Sequence, residues 1–303
     1  MVHLWRWTDS IKLIARLKSL RIERLEKKDY TILHIKILNL KMLKSLNLIE
    51  MAKKRILLKI GSNTLTKETN HISRGKVEDI GVQIAALSDD YEFIIVSSGA
   101  IAAAKQFVKL ESKGKEIVVK QALASIGQPH LMRIFHENFS DLGLLTSQCL
   151  LSYSDFEKEQ SKVNIVNTIN VLVENNYIPI INENDTVATD EIQFGDNDKL
   201  AALAAVLLKV DILIIATNTN GIYTKASINN EVPETILIVE DLTSLANEVG
   251  DSKSSHGTGG MQSKIEAAAI AKAAHIETWV VNGLNDNFIL QALENKIPFT
   301  KIV

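Results

Sequence analysis

The 303-residue chain has one cysteine, Cys149, and four prolines. A single cysteine excludes an intramolecular disulfide framework and a cysteine-built zinc site. No run of about 18 to 20 uncharged apolar residues occurs, so no transmembrane helix is expected. No secretory signal is recognisable, and a reducing cytoplasm is the expected location. The formal net charge is −2. Residues 1–50 are basic and residues 51–303 mildly acidic, without the basic stripe that neutralises nucleic-acid phosphates. No nucleic acid and no membrane is therefore expected as a partner.

Residues 1–50 contain neither Gly nor Pro, and Leu and Ile are mixed with Lys and Arg throughout. Two readings stand for this segment. It is a membrane-surface or partner-binding helix, or it is an appended extension produced by an over-long start, with the functional start at Met51. The second is preferred, because a strand pattern begins directly after Met51. The expected organisation is a basic extension, 1–50, followed by one domain, 51–303.

From residue 54 onward, strand and helix patterns alternate. Strands are expected at Lys54–Ile60, Phe93–Val96, Thr146–Leu151, Ile178–Ile181, Asp211–Ala216 and Thr278–Val281. Helices are expected at Ser73–Leu87, Ala100–Leu110, Asp155–Val173, Asp198–Leu208, Met261–Ala274 and Asn285–Glu294. A further helix over Glu116–Phe139 is expected to be interrupted near Gly127-Gln128-Pro129. Short apolar strands separated by helices predict an α/β fold with a mainly parallel sheet covered on both faces. Ligands of such folds gather at the carboxyl ends of the strands.

Four strand-end segments carry candidate chemistry. The first is Lys59-Ile60-Gly61, where Gly61 allows a sharp turn and Lys59 brings a positive charge; a solvated strand-end lysine is the plain alternative. Neither GxxxxGK nor GxGxxG is present there. The second is Ser97-Ser98-Gly99-Ala100, where a hydroxyl either caps the helix or holds a carboxylate. The third is Asn182–Thr189 with Gly195–Lys199. Asp185, Asp196 and Asp198 could orient lysines there, and Asn184 and Asn197 could recognise an amino acid. No protein metal ligand is named. The fourth is Gly257–Lys264, three glycines leading into a helix with a lysine in its first turns. His256 is read as solvated, and Cys149 as buried packing.

Taken in order, Lys59-Ile60-Gly61, SSGAIAAA at 97–104, NENDTVAT at 182–189, FGDNDKLAALAA at 194–205, NGIYT at 220–224 and GTGGMQSK at 257–264 resemble bacterial glutamate 5-kinases of the amino acid kinase superfamily. The resemblance covers about residues 53–303. It implies a three-layer α/β/α sandwich, ATP with Mg²⁺ as cofactors, and phosphorylation of the side-chain carboxylate of L-glutamate to L-glutamyl 5-phosphate, the first step of proline biosynthesis. It also implies L-proline as a feedback inhibitor and a homo-oligomer. By the same resemblance Lys59 and Lys264 stabilise the transferring group, and Asp198 orients both. Ser98, Asp185 and Asn197 bind glutamate. Lys59, Gly61, Thr217, Asn218, Thr258, Gly259, Gly260, Met261, Gln262, Ser263 and Lys264 line the nucleotide. Two features depart from the family pattern. Asn218 stands where an Asp is usual, and Lys225-Ala226-Ser227 replaces the usual Ala-Asp-Pro-Arg run. Only about 20 residues follow Trp279-Val280-Val281-Asn282, so the PUA domain of many members is expected to be absent. The alternatives are another amino acid kinase, for acetylglutamate or aspartate, and a non-catalytic amino-acid sensor on the same fold.

Overall fold

The computed structural model describes residues 53–303, apart from 68, 70, 111–115, 188–196, 228, 244 and 246–259. The basic segment 1–50 lies outside the described residues. So do Asp196, His256, Thr258 and Gly259.

The elements are β1 (Lys54–Ile60), α1 (Ser62–Thr66), α2 (Arg74–Leu87), β2 (Tyr91–Ser97), α3 (Ala100–Lys105) and α4 (Glu116–Ser140). Then come β3 (Leu145–Leu151), a 3-10 turn (Tyr153–Phe156), α5 (Glu159–Glu174), β4 (Tyr177–Glu183), α6 (Asp198–Leu207) and β5 (Ile212–Thr217). The chain closes with β6 (Ile238–Val239), α7 (Met261–Ala273), β7 (Glu277–Asn282), α8 (Phe288–Leu293) and β8 (Thr300–Ile302). One eight-stranded sheet has the order β3-β4-β2-β1-β5-β7-β8-β6. All its pairings are parallel except β7 with β8. The architecture is an α/β/α sandwich.

The central strands read as nearly continuous apolar runs because both of their faces are covered. Side chains alternate across a strand. Ile56, Leu58 and Ile60 enter one core with α2, α3, α4 and α8. Leu57 enters the other, with α5, α6 and α7. By this alternation Lys59 points to the α6/α7 side and Asn182 of β4, in phase with Ile180, to the α4 side. That parity sets the two halves of the site.

Several elements differ from the sequence expectation. Helix α4 runs unbroken through Pro129. A proline lacks the N–H for the carbonyl four residues back, here Ser125, yet need not end a helix held by packing. The packing is close: a Cβ on Gly127 would lie 1.7 Å from the Ala100 carbonyl oxygen on α3. Helix α3 stops at Lys105 rather than Leu110, and Phe107 beyond it is exposed. The expected 155–173 helix is divided, because the Asp155 carboxylate accepts from both the N–H and the hydroxyl of Ser152 and winds a separate turn. Helix α8 begins at Phe288, where Asn287 takes a left-handed φ of 58°. The starting N–H groups of Asn287 and Ile289 are met by Asp79 and Gln83 of α2. The short elements α1, β6 and β8 carry too few residues for a periodic signal. Cys149 is half-buried on the edge strand β3, packed beside the second core rather than within it, and burial pushes its thiol pKa up.

Candidate active site

The carboxyl ends of β1, β2, β4 and β5 lie side by side, as parallel pairing requires. Lys59, near the end of β1, is 3% exposed. A buried ammonium is strongly disfavoured unless paired. Asp198, the first residue of α6, is fully buried, and its Oδ1 lies 2.5 Å from Lys59 Nζ. Its Oδ2 lies 3.0 Å from Nζ of Lys264, in the first turn of α7. The Ser263 hydroxyl donates to the same Oδ2 at 2.9 Å. Burial alone would raise the Asp198 pKa; the two ammonium groups outweigh it and hold the carboxyl below the usual range. Among the described residues, two ammonium groups and one carboxylate meet over the strand ends.

Backbone contacts join the neighbouring segments to this centre. The Ser98 N–H donates to the Ile60 carbonyl, and the Asn197 amide donates to the Ser97 carbonyl at 3.2 Å. The turn after β2 thus touches β1 and the start of α6. Gly99 takes φ 108° there and is itself the N-cap of α3. The Ser98 side chain does not cap α3, and its hydroxyl is buried without a partner among the described residues. Gly61 does not need glycine's freedom, since its φ is −75°. A Cβ there would sit 3.6 Å from Lys59 Nζ.

A pocket lies beside the centre. It is lined among others by Gln128, Pro129, Glu183, Asn184, Asp185 and Thr186. Burial pushes the Asp185 pKa up to about 6, and its Oδ1 has no partner among the described residues. Asn197 is fully buried. Its amide nitrogen is engaged by Ser97 and by Asn182 Oδ1 at 2.7 Å, which leaves its own Oδ1 unpartnered. The Asn182 amide in turn donates to Gln128 Oε1 at 2.8 Å. Sequence reading assigned no role to Gln128. The signal was available: carried through Pro129, the helical period places Gln128 on the same buried face as Leu123, Ala124, Gly127 and Leu131.

Lys59, Asp198, Ser263 and Lys264 form one cluster, and Ser98 and Asn197 border it. Asp185 belongs to the adjoining pocket. Thr217 is buried at the end of β5 and Asn218 is exposed beyond it. Gly260 is the N-cap of α7, at φ −79°, and Met261 packs against a third, small core. Gln262 is not brought into the cluster; it is exposed and donates to Glu266 at 3.0 Å. Among the described residues no group of three or more His, Cys, Asp or Glu could hold a metal.

Two ammonium groups held over the strand ends by one buried carboxylate suit the transfer of an already charged group. Fold and site define a phosphotransferase of the open α/β class. The chain belongs to the amino acid kinase family, whose sequence profile matches residues 54–282. It is 36% identical over 248 residues to "Glutamate 5-kinase" of Bacillus cereus (strain ATCC 10987 / NRS 248), covering 81% of this chain and 68% of that protein. It is 40% identical over 239 residues to "Glutamate 5-kinase" of Thermoanaerobacter sp. (strain X514), covering 78% and 64%. Two solved structures share the fold. UMP kinase from Ureaplasma parvum gives a TM-score of 0.57 at 18% identity, covering 83% of this chain and 99% of that one. Carbamate kinase from Giardia lamblia bound to AMP-PNP gives 0.59 at 14% identity, with the same coverage. Among the described residues no helix is long and apolar enough to cross a membrane.

Proposed function

We propose that the protein phosphorylates the side-chain carboxylate of L-glutamate with ATP, giving L-glutamyl 5-phosphate, the first step of proline biosynthesis. The kinship with glutamate 5-kinases supports the substrate. The observation that carries the chemistry is the pairing of Lys59 and Lys264 on buried Asp198.

A side-chain carboxylate oxygen of glutamate forms the new bond to the γ-phosphorus of ATP. The bond from that phosphorus to the bridging oxygen breaks, and ADP leaves with the electron pair. No proton has to move, because a glutamate side chain is ionised at neutral pH. Lys59 and Lys264 stabilise charge on the transferring group from two sides, and Asp198 fixes their positions. Asp185 receives the substrate ammonium, with Ser98 and Asn197 beside it; the unspent atom of Asn197 is an acceptor. Gly61, Thr217, Asn218 and 258–264 form the nucleotide side. Gln262 is the weakest member of that set, being turned to the surface.

Mg²⁺ is proposed to arrive with the ATP phosphates. Both oxygens of Asp198 are engaged by lysines, so this carboxylate is not a vacant metal ligand, and Mg²⁺ commonly takes its shell from water and phosphate. Feedback inhibition by L-proline, a homo-oligomer, a cytoplasmic location and a domain boundary at Met51 belong to the same proposal.

The test is ATP-dependent acyl phosphate formation, trapped with hydroxylamine, across L-glutamate, N-acetylglutamate and L-aspartate. Turnover of glutamate alone is expected. Turnover of another of the three would move the protein to a different amino acid kinase, and binding without turnover would make it a sensor.

A further inference from the structure

Gln128 carries a buried amide whose direction is fixed by the backbone. The Glu183 N–H donates to Asn182 Oδ1 at 2.9 Å. A backbone N–H is only ever a donor, so the Asn182 atom facing it must be oxygen. The other end of the Asn182 amide is then NH₂, and it donates to Gln128. The Gln128 atom receiving it must be oxygen. Asn197 repeats the logic from the far side: its nitrogen faces the Ser97 carbonyl, which only accepts, and the same Asn182 oxygen. Both ends of the chain agree on its polarity, and the remaining atom of Gln128 is therefore an NH₂ donor.

Among the described residues that donor has no partner, although Gln128 is only 8% exposed. A buried unsatisfied donor is disfavoured, and such atoms in native structures call for a ligand or an ordered water. Gln128 lines the pocket that also holds Asp185, and none of the described lining residues is cationic. A carboxylate entering here finds no lysine or arginine among the described residues of the wall. Its buried partner has to be a neutral donor.

We propose that Gln128 is a substrate-binding residue that selects the α-carboxylate of the amino acid through this NH₂. The assignment rests on the reading of the pocket as the amino-acid site. Polarity excludes the α-ammonium as the partner, because both groups donate; Asp185 is the acceptor suited to it. The side-chain carboxylate is excluded by position, because Lys59 and Lys264, which take the reacting end, do not line this pocket. The helix supports the arrangement. The contact of Gly127 with Ala100 pins α4 at the residue before Gln128.

The test compares L-glutamate with its α-carboxamide, isoglutamine, which keeps the ammonium and the side-chain carboxylate. Binding to the full chain is measured by calorimetry, and acyl phosphate formation by hydroxylamine trapping. The wild type is expected to prefer glutamate. Gln128→Glu keeps an oxygen for Asn182 and replaces the donor by an acceptor, so it should move the preference toward isoglutamine by about tenfold or more. Gln128→Ala should compress the preference, with the KM for ATP unchanged in both variants. A purely structural Gln128 would change both amino acids alike. An unmoved preference in the folded Gln128→Glu variant overturns the assignment, even if Gln128→Ala fails to fold. Acyl phosphate formed with an unmoved preference leaves the proposed reaction intact and removes Gln128. A shifted binding preference without acyl phosphate keeps Gln128 and removes the reaction. Failure of the wild type to bind either amino acid removes both.

Discussion

Asp198 Oδ1 sits 2.5 Å from Lys59 Nζ, joining the first residue of α6 to the first strand of the sheet. The contact follows from strand parity. Lys59 shares a face with Leu57, and that face is covered by the helices that carry Asp198 and Lys264. The second oxygen of Asp198 binds Lys264, so removal of either lysine leaves a buried carboxylate with one cation.

Lys264→Met keeps much of the side chain's length and removes the charge. Transition-state stabilisation is expected to fall by roughly 2 to 4 kcal/mol, as when one preorganised electrostatic donor is lost. The loss should appear in kcat, with a smaller change in glutamate affinity. Steady-state kinetics check it, and near-native turnover would remove Lys264 from the mechanism.

Asp185 gives the site a pH dependence. Its pKa in the folded protein is raised to about 6 from an ordinary 3.8. Above pH 6 it is a carboxylate and attracts the substrate ammonium; below that it is protonated and does not. The kcat/KM for glutamate should therefore fall as pH drops through about 6. Asp185→Asn should abolish this acid limb, and Asp185→Ala should raise the KM for glutamate far more than that for ATP. For folding the sign is opposite. A carboxyl whose folded pKa is raised lends stability below its unfolded pKa and loses it as pH climbs toward 6. Asp185→Asn should flatten the rise in thermal stability of the ligand-free protein between pH 6 and pH 4.

Gly127→Ala tests the seat of α4. The added Cβ would fall 1.7 Å from the Ala100 carbonyl oxygen, so α3 and α4 must separate. Overpacking of this kind is expected to be destabilising by about 1 to 3 kcal/mol. A melting curve measures it. Activity should fall as well, since the Ser98-Gly99 turn that leads into α3 would shift.

A chain beginning at Met51 is expected to fold and keep its activity, because Lys53–Val303 is a compact unit and the family profile matches residues 54–282. Melting and acyl phosphate formation check this. Aggregation or lost activity would move the domain boundary to residue 1.

The continuous apolar runs of β1, β2 and β5 were legible because strands buried on both faces need no polar alternation. The helices between them were legible from their periodicity, to within a few residues, except where local side chains redraw the ends. Asp155 does so before α5, and Asp79 and Gln83 do so before α8. Lys59, Asp198 and Lys264 could be singled out because charged residues at strand ends and helix starts stand out from an apolar pattern.

Element order, the mainly parallel sheet and the sheet edge on which chemistry gathers follow from the chain alone, since periodicity and strand-end polarity are local properties. It takes the packed fold to show that two lysines share one carboxylate, that the Ser98 hydroxyl caps no helix, and that the polar chain Gln128–Asn182–Asn197 spans the strand tips. These depend on which faces of distant elements meet. Helix α4 passes through Pro129 for the same reason. Its packing at Gly127 is a contact with α3, and local propensity carries no record of such a contact.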